Sequence, residues 1–183
     1  FVFAQPANDL CANATPLTVG GPGTCTNTTG NNNAATDSGE LPAPACANYL
    51  GGDAWFSMMV PAGGSVIIET STAGGFADSG MAVYSGACGG LTELDCDDDG
   101  GPGTFSLVSL TGQTPGATLL IRVWEFGNNA FGDFNICAYE PAGPPANDDC
   151  INATALTPGA TCNAVAGTVA VSYTHLTLPT TYG

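Results

Sequence analysis

The chain has 183 residues, among them 16 acidic side chains, one basic side chain (Arg122) and one histidine (His175), for a formal net charge of −15. A chain this acidic lacks the lysines and arginines that displace counterions from phosphate, which disfavours nucleic acid and an anionic membrane surface as partners and favours cations instead. Gly, Thr, Asn, Pro and Val outweigh the usual helix formers, and no apolar run reaches the roughly 18 residues of a membrane helix, so an all-β fold rich in turns is expected, with no membrane insertion in this stretch.

In chain order, "FVFAQ" (1–5) reads as the remnant of a secretory signal peptide or as a linker. "QPANDLCANATPLTVGGPGTC" (5–25) returns near the far end as "PPANDDCINATALTPGATC" (144–162). The copy starts at Pro145, a whole domain's length after Pro6, which points to repeated domains and not to a solenoid. Residues 6–140 are therefore expected to form one complete module and 141–145 a stiff Pro/Gly linker. Residues 146–170 would begin a second, truncated module. Residues 171–183, containing "VSYTHLTLPT", resemble a translated sequencing adapter, and His175 falls inside them.

Between the ends, seven runs bounded by turn residues read as strands: 53–60, 65–72, 80–86, 91–96, 104–111, 117–125 and 132–139. Alternation places Val66, Ile68 and Thr70 on one face of their strand. It likewise turns Leu119, Ile121 and Val123 inward, with Arg122 and Trp124 opposite, and sets Phe134, Ile136 and Ala138 against Asn135, Cys137 and Tyr139. Short strands at this spacing predict a two-sheet antiparallel β-sandwich of jelly-roll type.

Six cysteines fall within residues 6–140, and no Cys-x-x-Cys pair is present. That pattern favours three disulfides and an oxidising compartment over a thiolate metal site. Fifteen pairings exist for six cysteines. The strand–Gly turn–strand pattern of "YSGACGGLTELDC" suggests Cys88–Cys96, with Cys25–Cys46 closing the Asn-rich loop and Cys11–Cys137 tying the first strand to the last. A Cys150–Cys162 pair in the second copy would instead imply Cys11–Cys25.

Taken in order, "NDLC", "GGDAWFSMMVPAGGSVIIETS", "FADSGMAVYSGACGGLTELDCDDD" and "LLIRVWEFGNNAFGDFNICAY" resemble a secreted repeat module of Bacteroidetes-type bacteria. That module is similar to the pre-peptidase C-terminal domain class, relatives of which include collagen-binding domains. The resemblance covers nearly all of residues 6–140. It implies a β-sandwich that sits beside catalytic or adhesive domains and performs no chemistry itself. It also implies that Trp55 lies in an early central strand of the core and that Asp78 closes a turn. Related domains bind calcium near an N-terminal linker.

The densest charge is "ELDCDDDGGPG" (93–103). Hard oxygen ligands beside a glycine-rich turn suit Ca²⁺. The candidate set is Asp95, Asp97, Asp98 and Asp99, completed by Asn8 and Asp9, against the plainer reading of a solvated acidic loop. Trp124, Arg122 and Tyr139 are the candidate ligand contacts, by stacking on a glycan or protein surface. The usual burial of tryptophan weighs toward packing at Trp124, and the lone arginine toward structure. Phe126 and Phe131 flank "GNNA" as further aromatics.

Enzyme chemistry finds little to work with. Setting His175 aside, no Ser–His or Cys–His pair can form, and the chain has no lysine. Nothing in the spacing of Glu69, Glu93 and Glu125 selects a carboxylate pair. The expectation is a disulfide-stapled, non-catalytic accessory or adhesive module of a secreted or cell-surface multidomain protein. Its expected partners are an extracellular glycan or protein surface and neighbouring modules of the same chain. The competing readings are a carbohydrate-binding module attached to a secreted hydrolase and a passive spacer.

Overall fold

The computed structural model describes residues 4–144, 148, 150–156 and 167. The chain divides into two units, Phe1–Pro141 and Ala142–Gly183. The first holds β1 (Thr15–Pro16), β2 (Val19–Gly20), β3 (Thr28–Asn31), β4 (Ala54–Met59), β5 (Val66–Gly74), β6 (Ser79–Ala87), β7 (Gly90–Asp97), β8 (Leu107–Leu110), β9 (Thr118–Glu125) and β10 (Asp133–Tyr139). Strands β4 to β10 are the seven runs that alternation marks. β8 starts later than 104 because Thr104 and Ser106 bond elsewhere: Thr104 Oγ1 donates to Ala77 O at 2.8 Å, and Ser106 N to Thr70 Oγ1 at 2.9 Å.

Two sheets face each other. One runs β1-β4-β9-β6-β7; the other runs β2-β10-β5-β8, with β3 also on β10. Successive strands from β4 to β10 cross repeatedly between the layers, giving the jelly-roll type of sandwich. Pairing is antiparallel in the body of both sheets, but β1 joins β4 and β2 joins β10 in parallel. The purely antiparallel expectation is corrected at these two edges. One extended segment, Thr15–Gly20, passes from the rim of one sheet to the rim of the other. Pro16 lacks an N–H and is tolerated there because an edge strand leaves one side unpaired.

The core between the sheets contains the inward positions expected from alternation, including Val66, Ile68, Ile121, Val123, Phe134 and Ile136. Phe134 packs on Phe76 at 4.6 Å and edge-on to Phe56 at 5.9 Å. A β-carbon on Gly30 of β3 would lie 2.4 Å from the Phe134 ring, so this edge strand closes over the ring only as glycine.

A third layer, made of coil, covers the outer face of the first sheet. Under it Trp55, Tyr84, Leu120 and Trp124 form a second core together with Cys11. β9 is buried on both faces as a result. Hydrogen bonds anchor the coil. Trp55 N donates to Asn8 O at 2.8 Å, Asn8 Nδ2 donates to Trp55 O at 2.8 Å, and Asp9 accepts from Thr36 N at 2.6 Å and Thr36 Oγ1 at 2.7 Å.

All six cysteines of the first unit are bonded, in the pairs Cys11–Cys88, Cys25–Cys137 and Cys46–Cys96. The expected Cys88–Cys96, Cys25–Cys46 and Cys11–Cys137 pairs, and the alternative Cys11–Cys25, are corrected. Cys88 sits at the β6–β7 turn, whereas Cys96 lies six residues along β7 from Gly90. At about 3.3 Å per strand residue they are roughly 20 Å apart, far beyond disulfide reach. Cys96 pairs across from Ala82 on the outer face, where the coil layer presents Cys46. Two of the three staples thus fasten that layer to the β6–β7 hairpin.

In the second unit, Cys150–Asn152 forms the same short 3-10 turn as its counterpart Cys11–Asn13. The expectations for residues 1–3, for a Cys150–Cys162 bond and for 171–183 lie outside the described residues. A non-reducing peptide map should return the three observed cystines from the first unit. Replacing Cys11 and Cys88 together with alanine should lower stability by about 2–5 kcal/mol in denaturant titrations, the usual range for a native disulfide of a small domain.

Candidate functional site

Arg122 projects from β9 into the coil layer and is 1% exposed. Its Nε donates to Asp53 Oδ2 at 2.7 Å, Nη1 to Glu40 O at 3.2 Å and Nη2 to Ser38 Oγ at 3.1 Å, with a further short bond to the Tyr49 hydroxyl. Its guanidinium carbon stands 4.2 Å from the Tyr49 ring centroid and 5.2 Å from that of Trp55. Burial works against the charge, but Asp53 and its neighbours outweigh it, so the pKa of Arg122 lies above the ordinary value. Asp53, wholly buried, also accepts from Trp55 Nε1 at 2.9 Å and Ser38 Oγ at 2.7 Å. Every direction of the guanidinium is occupied by this protein's own groups. Arg122 therefore holds the fold together and offers no free face to a ligand.

Trp124 is 0% exposed and packs edge-on against Tyr49 at 5.4 Å, so its ring cannot stack on an external surface. Tyr139 lies on the other sheet, where its hydroxyl donates to Glu69 at 2.8 Å. Burial, then Glu69, pushes its pKa up to about 12. The three candidate ligand contacts do not form one site.

The acidic run divides in a similar way. Asp97 Oδ2 accepts from Gly100 N at 2.9 Å and Leu107 N at 2.8 Å, closing the turn after β7. Asp95 Oδ1 accepts from Cys96 N at 2.9 Å. Asn8 and Asp9 are bound into the coil layer, as described above. Only Asp98 and Asp99 remain together, and they are joined by Asp78, whose carboxylate oxygens lie within 4.8 Å of theirs. One oxygen of Asp78 and one of Asp98 are buried with no hydrogen-bond partner. Burial first, then repulsion from Asp98 and Asp99, raises the pKa of Asp78, and burial first, then repulsion from Asp99 and Asp97, raises that of Asp98.

The resemblance makes Asp78 a turn-closing residue, and its place in this cluster depends on strand register. A bulge between Val83 and Tyr84 slips the β6–β7 pairing by one residue and sets Met81 opposite Asp97. Gly80 then lies on the outer face, and Asp98 follows directly from the end of β7 beside it. The one sequence signal was Gly80 itself, a glycine inside a strand where something approaches closely. A β-carbon there would lie 2.3 Å from the Trp124 indole.

Nearby, the turn after β9 is fixed from inside. Glu125 Oε2 accepts from Asn129 N at 2.7 Å, and buried Asn32 donates to Ala130 O at 3.0 Å and accepts from Gly132 N at 2.8 Å. This turn exposes Phe126 and Phe131, and Gly127 N donates to Asn48 O at 2.9 Å beside the exposed Leu50.

Comparison with known proteins places these features in context. A family model described as galactose binding domain-like, of the T9SS-associated group, matches residues 7–136. Among solved structures, the chain is similar to the pre-peptidase C-terminal domain of a collagenase from Bacillus anthracis. Identity is 9% and the TM-score 0.39, covering 67% of this chain and 96% of that one. No curated protein matches.

Asp53→Asn should lower stability by about 3–5 kcal/mol in denaturant titrations, the usual result of stripping one partner from a buried pair. Asp37, 61% exposed, should matter far less. Its pKa is lowered, by the Tyr49 hydroxyl first, so the folded state binds fewer protons there than the unfolded state. Its contribution is therefore present above the ordinary value of 3.8 and is lost as pH falls below it. The stability difference between wild type and Asp37→Asn should shrink over that range.

Proposed function

Because this chain belongs to the galactose binding domain-like family of T9SS-associated modules, we propose that it is a non-catalytic accessory module of a secreted or cell-surface bacterial protein, and that it adheres to an extracellular glycan or protein surface. One observation carries the adhesive part: the turn after β9 displays the exposed rings of Phe126 and Phe131 while buried Asn32 and Glu125 hold its backbone. Aromatic rings beside asparagine amides suit both sugar faces and protein surfaces. A turn already fixed before contact loses little entropy on binding.

The exposed Leu50 extends the same apolar edge. Arg122, Trp124 and Tyr139, committed to internal contacts, take no part. The plain spacer is the competing reading, and attachment to a hydrolase would make the same turn a carbohydrate-binding edge. Neighbouring modules of the chain are further partners on this reading, whereas nucleic acid is not.

Binding of the purified chain to glycan arrays and to immobilised extracellular matrix proteins tests this reading. Phe126→Ser combined with Phe131→Ser should weaken capture by at least about tenfold, the loss expected of a binding hot spot, while leaving the melting temperature within a few degrees. Capture unchanged in this variant would move the contact elsewhere. Absence of any capture by the wild type would leave the spacer.

A further inference from the structure

We propose that Asp78, Asp98 and Asp99 bind a calcium-sized divalent cation on the outer face of the first sheet, with the Trp124 indole N–H directed at a water on that ion. The proposal is independent of the adhesive reading. It also uses other residues than Asn8 and Asp9, which are already engaged with Trp55 and Thr36.

The carboxylate geometry supplies the first support. Ligand oxygens from all three residues lie within 4.8 Å of one another. Oxygens at the 2.3–2.6 Å typical of Ca²⁺ are separated by up to roughly 5 Å when they stand on opposite sides of the ion. The oxygens of Asp78 and Asp98 that lack partners are shielded from solvent. Buried acceptors of this kind are costly unless something binds them.

Trp124 supplies the second, independent support. It is completely buried, and its Nε1 has no acceptor. The indole lies with its nitrogen edge over Gly80, where Nε1 is 2.6 Å from the position a β-carbon would take. Gly80 lies on β6 opposite Trp124 of β9, and Asp78 immediately precedes that strand, its carbonyl accepting from Phe126 N at 3.1 Å. Met81 pairs with Asp97, the last residue of β7, so Asp98 follows that strand's end next to Gly80. A buried donor and two buried acceptors thus gather around Gly80 without bonding one another. A hydrated cation satisfies both kinds: carboxylates coordinate the ion, and a coordinated water accepts from the indole.

The backbone around the cluster is already fixed. Ser106 Oγ donates to Asp98 O at 3.1 Å, Thr104 Oγ1 to Ala77 O at 2.8 Å and Phe126 N to Asp78 O at 3.1 Å. Three carboxylates and water make an oxygen-only set, which favours Ca²⁺ over softer metals.

The test uses the full chain after chelation. Terbium(III), excited through tryptophan, should show sensitised emission that Ca²⁺ displaces at about 0.1–1 mM, the range of extracellular calcium modules. Ca²⁺ should also raise the melting temperature. Asp98→Asn and Asp78→Asn should each weaken binding by at least about tenfold, as expected from loss of a charged ligand, whereas Asp95→Asn should not. Without metal, Asp98→Asn should be at least as stable as wild type, because it relieves repulsion; this confirms that the variant folds. Trp124→Phe should lose most of the sensitised emission while Ca²⁺ still raises its melting temperature.

The proposal is overturned if Ca²⁺ leaves both emission and melting temperature unmoved. It is equally overturned if Asp98→Asn responds like wild type, or if Trp124→Phe keeps the emission.

Discussion

The ion pair between Arg122 and Asp53 decides what the outer face of the first sheet becomes. A guanidinium in the middle of a sheet face normally reaches for water; here it is covered, and a wholly buried carboxylate stands 2.7 Å away. Neither charge would tolerate burial without the other. The chain around Asp53, with Ser38 and Tyr49, is therefore drawn onto the sheet, and the two tryptophans are sealed beneath it. The chain's one basic side chain thus turns a two-layer sandwich into a three-layer body.

Such a cover needs more than one attachment, because coil has no ladder of its own to hold it. Cys11–Cys88 and Cys46–Cys96 supply covalent ties at the hairpin turn and along β7. Asp9 fixes Thr36, and Asn8 exchanges two bonds with Trp55. Between the sheets, buried hydroxyls of Thr70, Ser79 and Ser106 bond one another at 2.7 and 3.0 Å. That small polar chain locks the end of the sandwich where β6 begins and β8 starts late.

The same end gathers what the fold leaves free to interact. The N–H of Phe126 bonds the carbonyl of Asp78, so the aromatic turn and the acidic cluster share one hydrogen bond. An ion held at Asp78 would steady the start of β6 and, through that bond, the turn that displays Phe126. The proposed metal site and the proposed adhesive edge are thereby physically adjacent while remaining separately testable.

Local alternation was enough to read strands β4 to β10 and their inward residues, because a side chain's face follows from a two-residue period that needs no partner. It also placed Arg122 and Trp124 together, opposite the core. The cysteine count implied disulfides, since six cysteines within one module, with no Cys-x-x-Cys pair among them, suit cystines better than a thiolate metal site. What lay over Arg122 and Trp124 was not legible, because the covering coil has no period and is selected by a charge pair 69 residues apart. Cystine pairing was likewise hidden: each bond joins segments that meet only after the layers close, as with Cys25 and Cys137, separated by 112 residues. The acidic cluster turned on a single bulged residue in β7, and a slip of one position exchanges the faces of a strand. Sequence alone thus determined which residues form strands and which face turns inward, whereas register, coverage and cross-links, being contacts between distant segments, were decided only in the folded chain.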